Sequence, residues 1–129
     1  MNLIEKYLAK AANLTEVKPG MDISCQVSYV AAHDVTAPIA IKQFREIGVK
    51  SVFDPSRVLL IVDHIYPAAT EKARNNHWLM EDFAREFGLT IYRNGQGVIH
   101  QLMYEKHRAQ PGELVVIADS HTCTCGGYG

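Results

Sequence analysis

Residues 114–129 read LVVIADSHTCTCGGYG and hold the two features that decide the fold, an apolar run and the polar cluster that follows it. The apolar run, residues 114–118, has the length and composition of a short buried strand. It ends at Asp119, and Ser120 and His121 follow at once. In open α/β sheets, ligands bind outside the carboxyl ends of the strands. A carboxylate, a hydroxyl and an imidazole at that edge are therefore candidate site residues.

The same arrangement occurs earlier in the chain, where the apolar run VLLIV at residues 58–62 leads directly into Asp63 and His64. From residue 58 onward the pattern alternates between strand and helix. Strands are predicted at 58–62, 89–92 and 114–118, and helices at 70–87 and about 98–108. This alternation predicts an α/β fold, a three-layer α/β/α arrangement with a largely parallel sheet. Right-handed crossovers would bring both polar clusters to one sheet edge.

The first half of the chain gives weaker signals. Asn2 is predicted to cap a helix that runs to about Ala12. Residues 23–30 have β character, and Cys25 within them is predicted to be a small buried apolar residue. A second helix is predicted to begin after Thr36 and to end at Gly48. Its predicted inward side consists of Ile39, Ala40, Phe44 and Ile47.

The helix predicted at 70–87 has a long apolar stripe, with Thr70 as its cap and Gly88 as its end. The residues of its predicted buried face are Ala73, Leu79, Met80, Phe83, Ala84 and Phe87. Trp78 is predicted to pack. His77 and His107 lie among charged residues and are predicted to be solvated and without function.

Composition restricts the class of protein. The chain has 129 residues, enough for one domain or part of one, and 47% of them are hydrophobic. Thirteen basic and fourteen acidic residues give a formal charge of -1. This balance does not indicate binding to nucleic acid or to a membrane surface. No apolar run approaches transmembrane length and the first residues lack a signal-peptide pattern, so a cytoplasmic location is expected. Three cysteines do not suggest a disulfide framework.

Several interpretations of the polar clusters remain open from the residues alone. The Asp-Ser-His-Thr segment could be only a polar turn. His121, Cys123 and Cys125 could bind zinc, although the usual Cys-x-x-Cys spacing is missing. Asp63 could orient His64 and make it a proton donor near neutral pH, or the pair could be a loop histidine beside a capping carboxylate.

Four blocks of sequence together resemble the aconitase family. They are HDVTAP at 33–38, VDHIYP at 62–67, GQGVIHQ at 95–101 and ADSHTCTCGGYG at 118–129. The resemblance is closest to the branch of 3-isopropylmalate dehydratase large subunits, with the homoaconitase and dimethylmalate dehydratase large subunits as alternatives. It implies an iron–sulfur-dependent hydro-lyase that acts on a 2-hydroxy di- or tricarboxylic acid, in leucine biosynthesis for the first of these branches.

The resemblance also implies roles for single residues. The pair Asp63 and His64 would take part in proton transfer to the leaving hydroxyl. His100 would pair with Asp119 near the substrate, although taken alone it is more often a surface or core histidine than a catalyst.

Three further positions match residues that contact the substrate or its hydroxyl in the family. Ser120 would bind a substrate carboxylate. His121 would lie at the cluster-bound water or hydroxyl. His33 falls where relatives carry a polar substrate-binding residue.

The resemblance further implies a 4Fe–4S cluster held by three cysteines in two downstream blocks, which would lie beyond Gly129. Cys123 and Cys125 do not match those blocks, so no metal ligand and no bound cluster are expected within this chain. The family's serine base lies on a swivelling domain, often a separate small subunit, which is the expected partner. We therefore interpret residues 1–129 as the amino-terminal part of a longer large subunit, inactive alone. The rivals are a non-catalytic module and a small zinc-binding protein.

Overall fold

The computed structural model describes residues 1–93, 95–106 and 108–127, and its centre is a four-stranded sheet. The strands are β1 (Tyr29–His33), β2 (Val58–Ile61), β3 (Thr90–Tyr92) and β4 (Val115–Ala118). Their order is β3-β2-β1-β4, and every neighbouring pair is parallel. The helices are α1 (Leu3–Ala11), α2 (Ala37–Ile47), α3 (Glu71–Phe87) and α4 (Ile99–Glu105), with 3₁₀ turns at Pro55–Arg57 and Thr122–Gly127.

The sheet has a helical layer on each face, which confirms the predicted three-layer α/β/α fold. Side chains alternate between faces along each strand. On β2, Leu60 packs with α2 and α3, whereas Leu59 and Ile61 pack with α4 on the opposite face. Residues buried on both faces explain why β2 is a continuous apolar run rather than an alternating one.

The beginnings of α1 and α3 follow the predicted capping residues, whereas Thr36 makes no side-chain capping hydrogen bond at the beginning of α2. Asn2 accepts a hydrogen bond from the N–H of Glu5, whose carboxylate accepts one from the N–H of Asn2, so a capping box begins α1. Thr70 caps α3 by accepting from the Ala73 N–H at 3.1 Å. Gly88 ends that helix with a φ of 69°, a conformation that glycine adopts without steric cost.

The β character predicted for residues 23–30 is wrong for most of that segment. The strand covers Tyr29 to His33, because the two neighbouring strands do not extend further toward the amino terminus of β1. Val115, the first residue of β4, pairs with Tyr29, and Val58, the first residue of β2, pairs with Val30. Residues 23–28 have no strand partner in this register and are irregular. Cys25 is consequently half-buried outside the sheet, not a buried strand residue.

The predicted inward side of α2 is also wrong, except for Phe44. Ala37 and Ile41 are buried and Phe44 packs beside them, at the helical spacing of four and three residues. Ile39 is 66% exposed and Ile47 74% exposed. Trp78, predicted to pack, is 62% exposed on α3. No helix in the described part of the chain is long and apolar enough to cross a membrane.

The strand order creates a place for a site between β1 and β4. After β1 the chain crosses one face of the sheet through α2, whereas after β4 it turns to the other face, where Cys125 packs against the α4 side. Connections that leave neighbouring strands toward opposite faces open a crevice at their carboxyl ends. The Thr36 hydroxyl spans this point by donating to the Ala118 carbonyl at 2.8 Å.

Candidate active site

Asp119, the first residue after β4, lies at the centre of four histidines. Its side chain is only 2% exposed. Oδ1 lies 3.3 Å from His33 Nε2 and 3.7 Å from His64 Nε2. Oδ2 lies 3.2 Å from His100 Nε2 and 3.8 Å from His121 Nδ1. The last residue of β1 and residues that follow β2 and β4 therefore meet the first turn of α4 at one carboxylate.

His64 is oriented by the carboxylate that precedes it. Asp63 Oδ1 lies 2.6 Å from His64 Nδ1, and Asp63 Oδ2 accepts the N–H of Ile99 at 2.7 Å, at the beginning of α4. The hydrogen bond to Asp63 raises the pKa of His64 above its ordinary 6.5, although burial opposes the shift. His64 is thus held as a proton donor whose Nε2 faces Asp119.

His33, the last residue of β1, has the opposite electrostatic character. Its Nδ1 accepts the N–H of Val35 at 3.2 Å, which leaves the ring proton on Nε2, facing Asp119. Its ring stacks on that of His64, with centroids 3.8 Å apart and planes 15° apart. Burial, and then the charge of His64, lower the pKa of His33 below 6.5. The two stacked rings therefore differ in basicity, and His33 loses its proton at a lower pH than His64.

Asp119 remains ionised among these groups. Burial raises the pKa of its carboxyl, but the backbone N–H of His121 and the electrostatic attraction of the nearby rings of His100, His33 and His121 outweigh burial and bring it below its ordinary value. A carboxylate that accepts several donors favours its charged form. It can then orient the histidines without itself carrying the proton.

The outer side of the site is formed by the residues after Asp119. Ser120 is exposed, and its Oγ lies 3.0 Å from Nδ1 of His121, whose side chain is 76% exposed. The Thr122 hydroxyl fixes this turn by donating to the Asp119 carbonyl at 2.9 Å. A pocket of about 270 Å³ opens here. Its lining residues are Asp63, His64, Val98, Ile99, His100, Asp119 and His121.

The structure thus brings together the carboxylates and histidines that the sequence singled out. His33, Asp63, His64, His100, Asp119 and His121 share one network, and Ser120 joins it through His121. The expected meeting of the two polar clusters at one sheet edge is confirmed. The buried Nδ1 of His100 has no hydrogen-bond partner among the described residues, so this ring is held mainly through Nε2.

The cysteines do not belong to this network. Cys125 is 9% exposed within the apolar cluster against α4, and Cys123 points to solvent. Among the described residues, the ligand atoms that approach His121 are those of His100 and Asp119, with no thiol. The predicted zinc trio of His121, Cys123 and Cys125 is therefore not assembled. The described thiols likewise do not form the set that an iron–sulfur cluster needs.

The expected positions of the three cysteines that would hold the iron–sulfur cluster lie outside the described part of the chain. The resemblance places the three cluster cysteines beyond Gly129, and Gly129 itself is not among the described residues. The position of those ligands therefore stays a prediction.

One histidine predicted to be idle has a buried partner. His77 on α3 is 12% exposed in its side chain, and its Nε2 lies 3.1 Å from Oδ2 of the fully buried Asp34. The prediction that His77 is solvated is wrong because the spacing Ala73, His77, Met80, Ala84 places it on the buried stripe of α3. That spacing could have revealed it. His107 lies outside the described residues.

Comparison with known proteins defines the class to which this fold and site belong. The family model described as Aconitase family (aconitate hydratase) matches residues 5–129. The chain belongs to the aconitase family.

Individual relatives carry more particular names. The chain is 46% identical over 131 aligned positions to the 3-isopropylmalate dehydratase large subunit of Moorella thermoacetica, with all of this chain and 31% of that protein covered. It is 42% identical to the protein of the same name from Methanoregula boonei, with 98% and 30% covered. It is also 42% identical to the probable methanogen homoaconitase large subunit of Methanothermobacter thermautotrophicus, with 100% and 31% covered. The chain spans about a third of the length of these relatives.

Proposed function

We propose that this chain supplies the histidine–carboxylate part of the active site of a hydro-lyase, most like the 3-isopropylmalate dehydratase large subunit. The observation that carries the proposal is the buried Asp119 carboxylate among four histidines, two of which have pKa values shifted in opposite directions. Groups whose environments separate their pKa values are typical of acid–base assignments in enzymes. The proposed substrate is a 2-hydroxy dicarboxylic acid.

The proposed step for His64 is proton donation to a leaving hydroxyl. Dehydration of a 2-hydroxy acid breaks a C–O bond and a C–H bond on the neighbouring carbon, and the hydroxyl must leave as water. The His64 imidazolium donates through Nε2 while Asp63 holds Nδ1. Rehydration at the neighbouring carbon runs the same transfer in reverse, which requires a pKa near the working pH.

The other residues have binding and orienting roles in this proposal. His33 is a neutral donor held by Val35 and Asp119, so it can donate without adding charge. His100 takes its orientation from Asp119, and His121 lies at the pocket opening. Ser120, exposed beside His121, is available to a substrate carboxylate.

We further propose that the complete enzyme holds a 4Fe–4S cluster through cysteines outside residues 1–129, since the described thiols do not form a ligand set. When bound, the cluster would supply a Lewis acid to the substrate hydroxyl. The proposed partner is a small subunit that carries the serine base, in keeping with the large-subunit names of the relatives.

The proposal is tested by a chimaera in which this chain replaces the matching segment of the Moorella thermoacetica large subunit, co-expressed with the small subunit of that organism. We expect the chimaera to dehydrate 3-isopropylmalate after anaerobic reconstitution with iron and sulfide. The isolated chain should show neither turnover nor a stoichiometric cluster.

Two results would contradict the proposal. One is a chimaera that assembles and holds its cluster but has no turnover with 3-isopropylmalate or with the substrate of homoaconitase. The other is turnover by the isolated chain. Activity with the homoaconitase substrate alone would reassign the substrate and leave the class of reaction unchanged. The negative control is the Moorella thermoacetica large subunit from which the matching segment has been deleted.

A further inference from the structure

Asp34 is a buried carboxylate directly beneath the loop that carries His64. It follows β1 and is fully buried. Oδ1 accepts the backbone N–H of His64 at 3.0 Å, and Oδ2 accepts the backbone N–H of Ile65 at 2.8 Å. His77 Nε2 approaches Oδ2 at 3.1 Å. An ionised carboxylate only accepts hydrogen bonds, so the two amides donate to it, and the His77 ring does so when its proton is on Nε2.

This arrangement holds His64 at two separate points. Asp63 fixes the ring through Nδ1, and Asp34 fixes the main chain through the N–H. The residue before Asp34, His33, stacks on the same ring. His33 at the end of β1 and Asp34 directly after it therefore contact both the ring and the main chain of His64.

The contact with His77 connects this segment to the middle of α3. Burial of a carboxylate costs free energy unless its lone pairs accept hydrogen bonds, and loss of one donor leaves an acceptor position unsatisfied. With His77 in place, Asp34 is held from the helix side and from the loop side at once. Without the His77 contact, the hydrogen bonds that hold the carboxylate within the described part of the chain come from the loop side alone, from the His64 and Ile65 amides.

We propose that Asp34 and His77 are positioning residues for His64: the imidazole of His77 donates to Asp34, which in turn fixes the loop that presents the proton donor. The inference rests on the proposed role of His64, although its geometry does not depend on the substrate. The charged or titratable groups that face His64 are Asp63 on its own loop, His33 at the end of β1, Asp34 directly after it, and Asp119 after β4. The effect of His77 reaches His64 through Asp34.

The test uses ¹⁵N NMR spectra of the chain itself and needs no turnover. The variants are His77→Leu, which removes the donor, and His77→Gln, whose amide N–H can replace it. Asn76→Leu, at the adjacent and likewise half-buried position of α3, is the matched control. Two quantities are measured, the exchange rates of the His64 and Ile65 amide protons and the tautomer of neutral His64.

We expect His77→Leu to accelerate exchange at both amides about tenfold or more, the scale of one lost hydrogen bond. The Nδ1–H tautomer of His64, which Asp63 selects, should lose its dominance in the same variant. His77→Gln and Asn76→Leu should resemble the unsubstituted chain in both respects. A tautomer change that Gln reverses separates positioning from a general loss of stability.

Unchanged exchange and an unchanged His64 tautomer in a folded His77→Leu variant would overturn the proposal. If that variant does not fold, the unsubstituted chain decides, because neutral His77 must carry its proton on Nε2 to donate to Asp34. A spectrum that places the proton on Nδ1 would overturn the inference. Neither outcome depends on whether the chimaera is active, so failure here is distinct from failure of the proposed function.

Discussion

Replacement of His64 by alanine in the chimaera is expected to lower turnover of 3-isopropylmalate by about a hundredfold to ten-thousandfold, the usual contribution of general acid catalysis. The Michaelis constant should change little, because the lost interaction acts on the departing hydroxyl in the transition state. His64 Nε2 faces the pocket while Asp63 holds Nδ1. Among the described side chains that line this pocket, His64 is the one with a raised pKa.

Turnover of the His64→Ala variant must be compared with that of a control variant near the site that leaves the histidine–carboxylate network intact. Gln101→Ala serves this purpose, since Gln101 is exposed on α4 beside His100 and hydrogen-bonds to Glu105. It should retain turnover close to that of the unsubstituted chimaera. Unchanged turnover in His64→Ala with a raised Michaelis constant would reassign His64 to substrate binding.

Substitution of Asp63 by asparagine should have an effect of similar size, about a hundredfold or more on turnover near neutral pH. The asparagine carbonyl can still accept the Ile99 N–H, which leaves its NH₂ group facing His64 Nδ1. Neutral His64 would then carry its proton on Nε2. Because the Asp63 hydrogen bond is the largest cause of the raised pKa of His64, that pKa should fall.

The measurement is turnover as a function of pH, together with the ¹⁵N shifts of His64. Asp82→Asn, the same substitution at an exposed position of α3, is the matched control and should change neither quantity. If Asp63→Asn leaves both the pH profile and the His64 shifts unaltered, Asp63 has only a structural role at the beginning of α4.

The part of the fold that the sequence predicted well is the part in which local pattern and burial agree. The apolar run of β2 is buried on both faces of the sheet, and that of β4 lies beside β1. Each of the two runs is followed by an aspartate that begins a polar cluster. Because parallel strands end at the same edge, the site around Asp119 could be inferred before any coordinates. The capping residues of α1 and α3 are likewise local signals.

The parts that the sequence predicted poorly depend on neighbours distant in the chain. The extent of β1 is set by where β2 and β4 begin, which no local pattern in residues 23–33 reveals. The helical spacing of His77 with Ala73 and Met80 indicates its burial, but the partner that it meets there, Asp34, lies 43 residues away in the sequence. The direct contact between Asp63 and His64 required backbone geometry, since adjacent side chains diverge on a regular strand.

We conclude that the hydrogen bond to Asp63 makes His64 a proton donor, whereas burial keeps the stacked His33 neutral. A ¹⁵N NMR titration of the two histidines in this chain tests it most directly. We expect His64 to titrate above 6.5 because of its hydrogen bond to Asp63, and His33, stacked on it, to titrate below 6.5 because it is buried. A reversed order, or a His33 that becomes protonated at or above pH 6.5, would contradict these assignments of His64 and His33.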